Sequence, residues 1–237
     1  MPRQDILIAI DGPAGSGKST TARLLARALG VPHLNTGALY RAVTWALLKR
    51  GIWPGEPERI SEALDALRLE LRPASEGFRV WVDGQDVTDA LYQPEVAAHA
   101  SEVSALPAVR AWLLDRQRAL GEAGGLVVEG RDIGTVVFPD ADLKVFLVAD
   151  LRERARRRWQ ELHSQGVEIS PEQVEAELRK RDERDAMRPI APLRPAADAR
   201  ILDTTTLSVE EQVARILQWA REIRRIRYGI AETSEAK

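Results

Sequence analysis

The chain has 237 residues, 44% of them hydrophobic and 30% charged, with a net charge of −2. That is enough for one α/β domain with a sizeable core and a small insert, and the balanced charge gives no field to gather nucleic acid. Cysteine is absent, which excludes disulfides and thiolate metal sites, and no run approaches the ~18 apolar residues that span a bilayer.

The N-terminal residues lack an apolar signal segment with a small-residue cleavage site. The expected compartment is therefore the cytoplasm, which suits a cysteine-free chain. Residues 6–10 are a continuous apolar run closed by Asp11-Gly12, the pattern of a strand buried on both faces of a parallel sheet. A helix is expected over 18–29 with Gly30 as its stop, then a strand over 31–34 and a helix over 37–50 capped by Asn35 or Thr36.

Residues 56–93 change character. A short helix over 57–67 leads into alternating Leu69, Leu71, then Phe78, Val80 and Val82, and Asp83-Gly84 supplies a turn. Period two with such a turn predicts an antiparallel hairpin, so this segment reads as an inserted subdomain between core segments 1–55 and 94–237. Helices are expected over 94–105 and 107–120, and strands over 126–128 and 143–148. An arginine-rich helix from 151, a loop over 163–170 and a helix over 171–187 come next, followed by a strand over 200–202 and a closing amphipathic helix from 209. The fold class is α/β: a P-loop NTPase with a doubly wound parallel five-stranded sheet, a small antiparallel insert and a helical lid over 151–188.

The segment Gly12, Pro13, Ala14, Gly15, Ser16, Gly17, Lys18, Ser19, Thr20 lies between an expected strand and an expected helix, the context a phosphate-binding loop requires. Glycines let successive backbone N–H groups curl around an anion, and the helix N-terminus adds its positive end. Lys18 can reach the β- and γ-phosphates and the Ser19 hydroxyl can coordinate Mg²⁺. The loop names a triphosphate donor, ATP or GTP, without naming a reaction. An Asn-Lys-x-Asp motif is absent, which argues against a guanine-reading switch.

The arginines carry the next inference, 29 of the 34 basic residues being arginine. Arg41 follows the second strand, and Arg131 and Asp132 follow the third, at the sheet edge where open α/β folds bind ligands. Arg181, Asp185 and Arg188 share a helical face. Arg154, Arg157 and Arg158 crowd the preceding helix, so two arginine-bearing helices can close over phosphates and exclude water. Solvated side chains and structural ion pairs are the plainer readings of these residues. Many arginines with few general bases is the composition phosphoryl transfer calls for.

The segments IDGPAGSGKST, NTGALYRA, EGRDIGTVVFPDADLKVFL and RKRDERDAMRPIAPLRPAADARILDTT, with the insert between them, resemble the bacterial cytidylate kinases of the nucleoside monophosphate kinase group over nearly the whole chain. The resemblance implies transfer of the ATP γ-phosphoryl group to CMP or dCMP with Mg²⁺; the lack of a heptad or large apolar patch makes a monomer the expectation, and the net charge and apolar runs give no nucleic-acid or membrane partner. It implies Ser101, Arg110 and Asp132 as cytosine readers, Arg41, Arg131 and Arg188 as the acceptor-phosphate clamp, and Tyr40, Arg181 and Asp185 as sugar contacts. Arg157 would lie in the lid near the ATP phosphates. Catalysis would rest on Lys18, Arg131, Asp132 and Arg188. Glu129 stands where many members carry Asp, Thr36 where some carry Ser, and Ser19 where some carry Gly. Another monophosphate or small-metabolite kinase, or a P-loop switch protein without an acceptor, are the competing readings.

Overall fold

The computed structural model describes residues 3–74, 77–164 and 166–230. In chain order the elements are β1 (Leu7–Asp11), α1 (Lys18–Leu29), β2 (His33–Asn35), α2 (Thr36–Lys49), α3 (Pro57–Asp65), β3 (Leu69–Ala74), β4 (Gly77–Val82), β5 (Gln85–Asp86), α4 (Pro94–Val103), α5 (Pro107–Gly121), β6 (Leu126–Gly130), β7 (Leu143–Val148), α6 (Leu151–Ser164), α7 (Pro171–Met187), β8 (Arg200–Asp203) and α8 (Val209–Tyr228). The order β2-β6-β1-β7-β8 makes a five-stranded sheet, and every adjacent pair in it is parallel.

Strand β1 shows why its sequence is apolar without a break. Leu7 and Ala9 point into a layer built with α2 and α5, while Ile6, Ile8 and Ile10 point into a second layer with α1 and α8. A central strand covered on both faces has no solvated side to carry polar residues. Each such Leu or Ile contributes about 1.5–3 kcal/mol by leaving water. The helices end on local signals. Gly30 closes α1 in the left-handed region (φ 68°), its N–H bonding back to Ala26 and Arg27 carbonyls. Ser170 with Gln173 and Ser208 with Glu211 form capping boxes that start α7 and α8.

The small antiparallel sheet runs β3-β4-β5. Asp83 (φ 49°) and Gly84 (φ 82°) form a turn with two left-handed residues, but it joins β4 to the short β5. The β3–β4 pair aligns Leu69 with Val82 and Leu71 with Val80, which puts the apolar alternation on one face. That face packs with Ile60, Leu64 and α2 in one continuous core.

Two local expectations are corrected, and one element is new. The strand expected to stop at 128 continues to Gly130, because all five residues pair with β1. No side chain caps α2: the Thr36 hydroxyl donates instead to the Glu129 carbonyl of β6 at 2.8 Å. Residues Ile133–Val137 form a π-helical turn that the sequence pattern does not announce. No helix among the described residues is long and apolar enough to cross a membrane.

Candidate active site

The parallel strands end together, so Asp11, Asn35, Gly130 and Asp203 bring their following loops to one edge. The glycine loop leaves β1 there. Gly12 adopts φ +147°, and a Cβ on it would sit 2.3 Å from the Leu147 carbonyl oxygen of β7. Gly15 (φ +76°) lies against Arg154, whose carbonyl oxygen would be 3.0 Å from an added Cβ. Side-chain-free backbone is what lets the loop turn this tightly. Lys18 folds back over the loop, its Nζ donating to the Pro13 carbonyl at 2.5 Å with Ser16 Oγ at 3.4 Å. Burial, and then the Arg131 guanidinium, push the Lys18 ammonium well below its ordinary pKa, while Glu129 and Asp11 oppose the fall.

Ser19 Oγ donates to Glu129 Oε2 at 2.8 Å. Glu129 Oε1 lies 3.3 Å from His33 Nε2. Burial pushes the Glu129 carboxyl up, but His33, Lys18 and the Ser19 hydroxyl together hold it below its ordinary value. A hydroxyl and an ionised carboxylate beside a phosphate loop are hard oxygen donors, and that donor set fits Mg²⁺ bound mainly through phosphate and water. Among the described residues no cluster of three or more His, Cys, Asp or Glu could form an all-protein cage.

On the other side lies a group of arginines. Arg131 Nε donates to Asp185 Oδ2 at 3.1 Å. Arg181 is pushed down to about 10, by burial first and then by Arg131, with further repulsion from Arg41 and Arg158. Arg41, stacked 5.1 Å from the Tyr92 ring centre, is also lowered by burial and by Arg158 and Arg131. The Nε atoms of Arg181 and Arg188 are buried without a hydrogen-bond partner. Guanidinium groups crowded this way repel one another, and an anion among them relieves the repulsion.

Behind this group, Arg110 and Asp132 form a buried pair, Arg110 Nη2 donating to Asp132 Oδ2. Arg110 also donates to the Ser104 carbonyl at 3.0 Å and lies 5.5 Å from the Tyr40 ring centre. Ser101 Oγ is buried with no partner. Ser104, whose carbonyl Arg110 reaches, donates its hydroxyl to the Ser101 carbonyl at 2.9 Å, so α4 brings Ser101 to the neighbourhood of the pair.

A model of the family described as cytidylate kinase matches residues 8–222. The chain belongs to the cytidylate kinase family. It is 49% identical over 220 residues to the bifunctional pantoate ligase/cytidylate kinase of Synechococcus sp. (strain JA-3-3Ab), covering 92% of this chain and 41% of that protein. It is 47% identical over 211 residues to the cytidylate kinase of Carboxydothermus hydrogenoformans, covering 89% of this chain and 95% of that one. The chain therefore spans about two fifths of the bifunctional relatives it matches and nearly all of the shorter one. In fold it is similar to an uncharacterized protein from Eubacterium ventriosum ATCC 27560, with a TM-score of 0.51 at 14% identity over 92% of this chain and 99% of that one.

In this cytidylate kinase family member the sequence-selected residues fall into groups. Gly12 to Ser19 form the loop, and Arg41, Arg131, Arg181, Asp185 and Arg188 gather with Lys18 at their edge. Thr20 is exposed, and Thr36 is tied to β6 by its hydroxyl. Arg188 lies just past α7 as its cap rather than within the helix, donating to the Ala191 carbonyl at 2.9 Å. Arg157 faces the end of β8, bonding Glu153 at 2.8 Å and the Thr204 carbonyl at 2.6 Å. On α6, Arg154 reaches the glycine loop, donating to the Ala14 carbonyl at 3.1 Å and to Asp182 of α7 at 2.7 Å. Sequence reasoning placed Arg154 in the arginine-rich helix but not on the loop, because the contact crosses 140 positions. It passed over His33 and Asp11 as site residues; an acid closing a strand before glycine reads as ordinary turn punctuation.

Proposed function

We propose that the chain transfers the γ-phosphoryl group of ATP to CMP or dCMP, releasing ADP and CDP or dCDP. The observation that carries this reading is the juxtaposition of two cationic surfaces: the glycine loop with Lys18, and the arginine group close enough that Arg131 and Arg181 both depress the Lys18 ammonium. A hydrolase or switch needs only the first surface, whereas a phosphotransferase has to hold two anionic substrates end to end.

In this reading Gly12 to Thr20 cradle the triphosphate and Lys18 neutralises its β- and γ-oxygens. Ser19 would hold Mg²⁺ with Glu129 alongside; when bound, the ion supplies charge neutralisation between the β- and γ-phosphates. Arg41, Arg131 and Arg188 clamp the acceptor phosphate, and Tyr40, Arg181 and Asp185 take its sugar. Thr36 and Glu129 support this edge of the acceptor pocket. Ser101, Arg110 and Asp132 read the base. Cytosine offers an exocyclic amine that donates to Asp132, whereas uracil presents an acceptor there and leaves the carboxylate unpaired. Residues 151–188, with Arg157, act as a lid that excludes water from the transfer, and residues 56–93 act as an inserted monophosphate-binding subdomain on the core of 1–55 and 94–237. We place the protein in the cytoplasm as a monomer, with ATP and CMP or dCMP as its partners and no nucleic-acid or membrane partner.

The test is a coupled assay with CMP, dCMP, UMP, AMP and shikimate as acceptors. CMP and dCMP should be turned over with the highest kcat/KM. A preference for AMP, or ATP hydrolysis that no acceptor accelerates, overturns the reading.

A further inference from the structure

We infer that Asp11 is a positioning residue for acceptor-base choice: its carboxylate anchors the backbone that follows Asp132 and thereby aims Asp132 and Arg110 at the base. The inference rests on the base-reading role given to that pair above.

Asp11 is the last residue of β1 and directly precedes Gly12, so it belongs to the strand that launches the donor loop. It is 5% exposed. Both of its oxygens are used: Oδ1 accepts from the Ile133 N–H at 2.8 Å and Oδ2 from the Gly134 N–H at 2.7 Å. These are the first two backbone donors after Asp132. Asp132 has φ −146° and ψ 25°, outside both the helix and strand wells, so no regular ladder fixes its backbone. What fixes it is the turn on one side, where the Val136 and Val137 N–H groups bond its carbonyl at 2.9 and 3.2 Å, and Asp11 on the other.

The chemistry of the anchor points beyond scaffolding. Two adjacent N–H donors are matched by a carboxylate and only half matched by an amide or a hydroxyl, since an amide turns one donor back toward an N–H. Yet a second carboxylate here is electrostatically unfavourable. Burial, and to a smaller degree the nearby Asp132 charge, push Asp11 up to about 6. Lys18 eases that repulsion only in part. An ionised acid is therefore retained next to another acid, at a position whose geometric consequence is the direction of Asp132. Asp132 in turn binds Arg110, and Arg110 reaches the Ser104 carbonyl at the end of α4. The path from β1 to the base-reading pair is one side chain and one turn long.

The test is steady-state kinetics of Asp11→Asn with CMP, UMP and ATP varied separately, beside Asp132→Ala and the double variant. Loss of the anchor should raise the KM for CMP and lower the CMP-to-UMP ratio of kcat/KM by about tenfold to a hundredfold, the usual consequence of displacing a positioned group by about 1 Å. The KM for ATP should stay within about threefold. The double variant should lose no more discrimination than Asp132→Ala alone, since the two act in series. Should Asp11→Asn not fold, Asp11→Ser, which keeps one acceptor, is read by the same ratios. A folded variant with an unchanged CMP-to-UMP ratio, or with ATP and CMP affected equally, overturns the inference while the functional reading stands if Asp132→Ala alone abolishes discrimination. A wild-type enzyme that does not prefer CMP to UMP overturns both.

Discussion

The Ser19 hydroxyl donates to Glu129 Oε2 at 2.8 Å, so one bond joins the first turn of α1 to the carboxyl end of β6. Glu129 thereby sits as an ionised group at a helix N-terminus, where the helix dipole favours it. In the proposed reaction these two oxygens are the protein's share of the Mg²⁺ site. Ser19→Ala should raise the Mg²⁺ concentration for half-maximal ADP binding by about tenfold, in the range seen when metal-site supports are removed. Calorimetric titration of ADP at stepped Mg²⁺ measures this without turnover, and a superimposable Mg²⁺ dependence would remove Ser19 from the site.

Arg131 and Arg188 sit in one cationic cluster, where burial lowers the Arg181 and Arg188 guanidiniums and the Arg131 charge lowers both further. Removing either relieves that repulsion, and the buried Asp185 that Arg131→Ala deprives of its partner still faces the Arg181 and Arg188 charges, so the fold should survive. The transition state loses a charge partner, which typically lowers turnover by about 10²–10³-fold. Arg131→Ala and Arg188→Ala should therefore melt within a few degrees of the wild type yet turn over CMP at that reduced rate. Wild-type kinetics in both would remove them from the acceptor clamp.

Asp132→Ala leaves Arg110 buried without its carboxylate. Uncompensated buried charges of this kind cost about 3–5 kcal/mol, so the variant should unfold at lower denaturant. Its kcat/KM ratio for CMP over UMP should also collapse toward unity, because the group that accepts from the cytosine amine is gone. A destabilised variant that keeps the wild-type ratio would make Asp132 purely structural.

Asp11 gives a pH prediction with a definite sign. Its folded-state pKa is raised from 3.8 to about 6, chiefly by burial and further by Asp132, against the Ile133 and Gly134 N–H groups and Lys18. A raised acid pKa means the folded chain binds a proton that the unfolded chain has released, so this group's contribution is full below about pH 4 and is lost as pH rises through about 6. Roughly two units correspond to roughly 3 kcal/mol. Melting curves of wild type and Asp11→Asn should therefore shift relative to one another in favour of the variant between about pH 4 and 6, then run parallel. A difference constant across that interval contradicts the raised pKa.

Gly12 cannot carry a side chain. A Cβ would stand 2.3 Å from the Leu147 carbonyl oxygen, and the φ of +147° is strained for any L residue. Gly12→Ala should lose at least about 3 kcal/mol of stability and abolish ATP binding, measured by denaturant titration and by fluorescent-nucleotide displacement. An alanine variant that binds ATP normally would mean the loop relaxes freely away from β7.

Much of the fold was legible because its signals are local. The apolar run of β1 announces a strand covered on both sides, and the helices expected from 171 and 209 start there, behind the capping serines 170 and 208. The glycine loop is legible for the same reason, since its N–H geometry is encoded by adjacent residues. The antiparallel insert is legible from alternation and from the Asp83-Gly84 turn, which joins β4 to β5; the short β5 carries no alternation of its own. The candidate site was legible as a set of residue types and, through the family resemblance, as a set of positions. Their partnerships were not: Arg131 meets Asp185 across 54 positions and Arg110 meets Asp132 across 22.

The sequence by itself determined a triphosphate loop on a parallel α/β sheet and an excess of arginine at the sheet's carboxyl edge, since both follow from residue type and short-range spacing. Only the tertiary structure decided that Lys18 lies within reach of the Arg131 and Arg181 fields, that Arg154 touches the loop, and that Asp11 holds the turn after Asp132. Those relationships depend on which strands lie side by side: the register of β1 on β6 places Asp11 opposite Gly130, and chain folding across more than a hundred residues, not local pattern, brings them there.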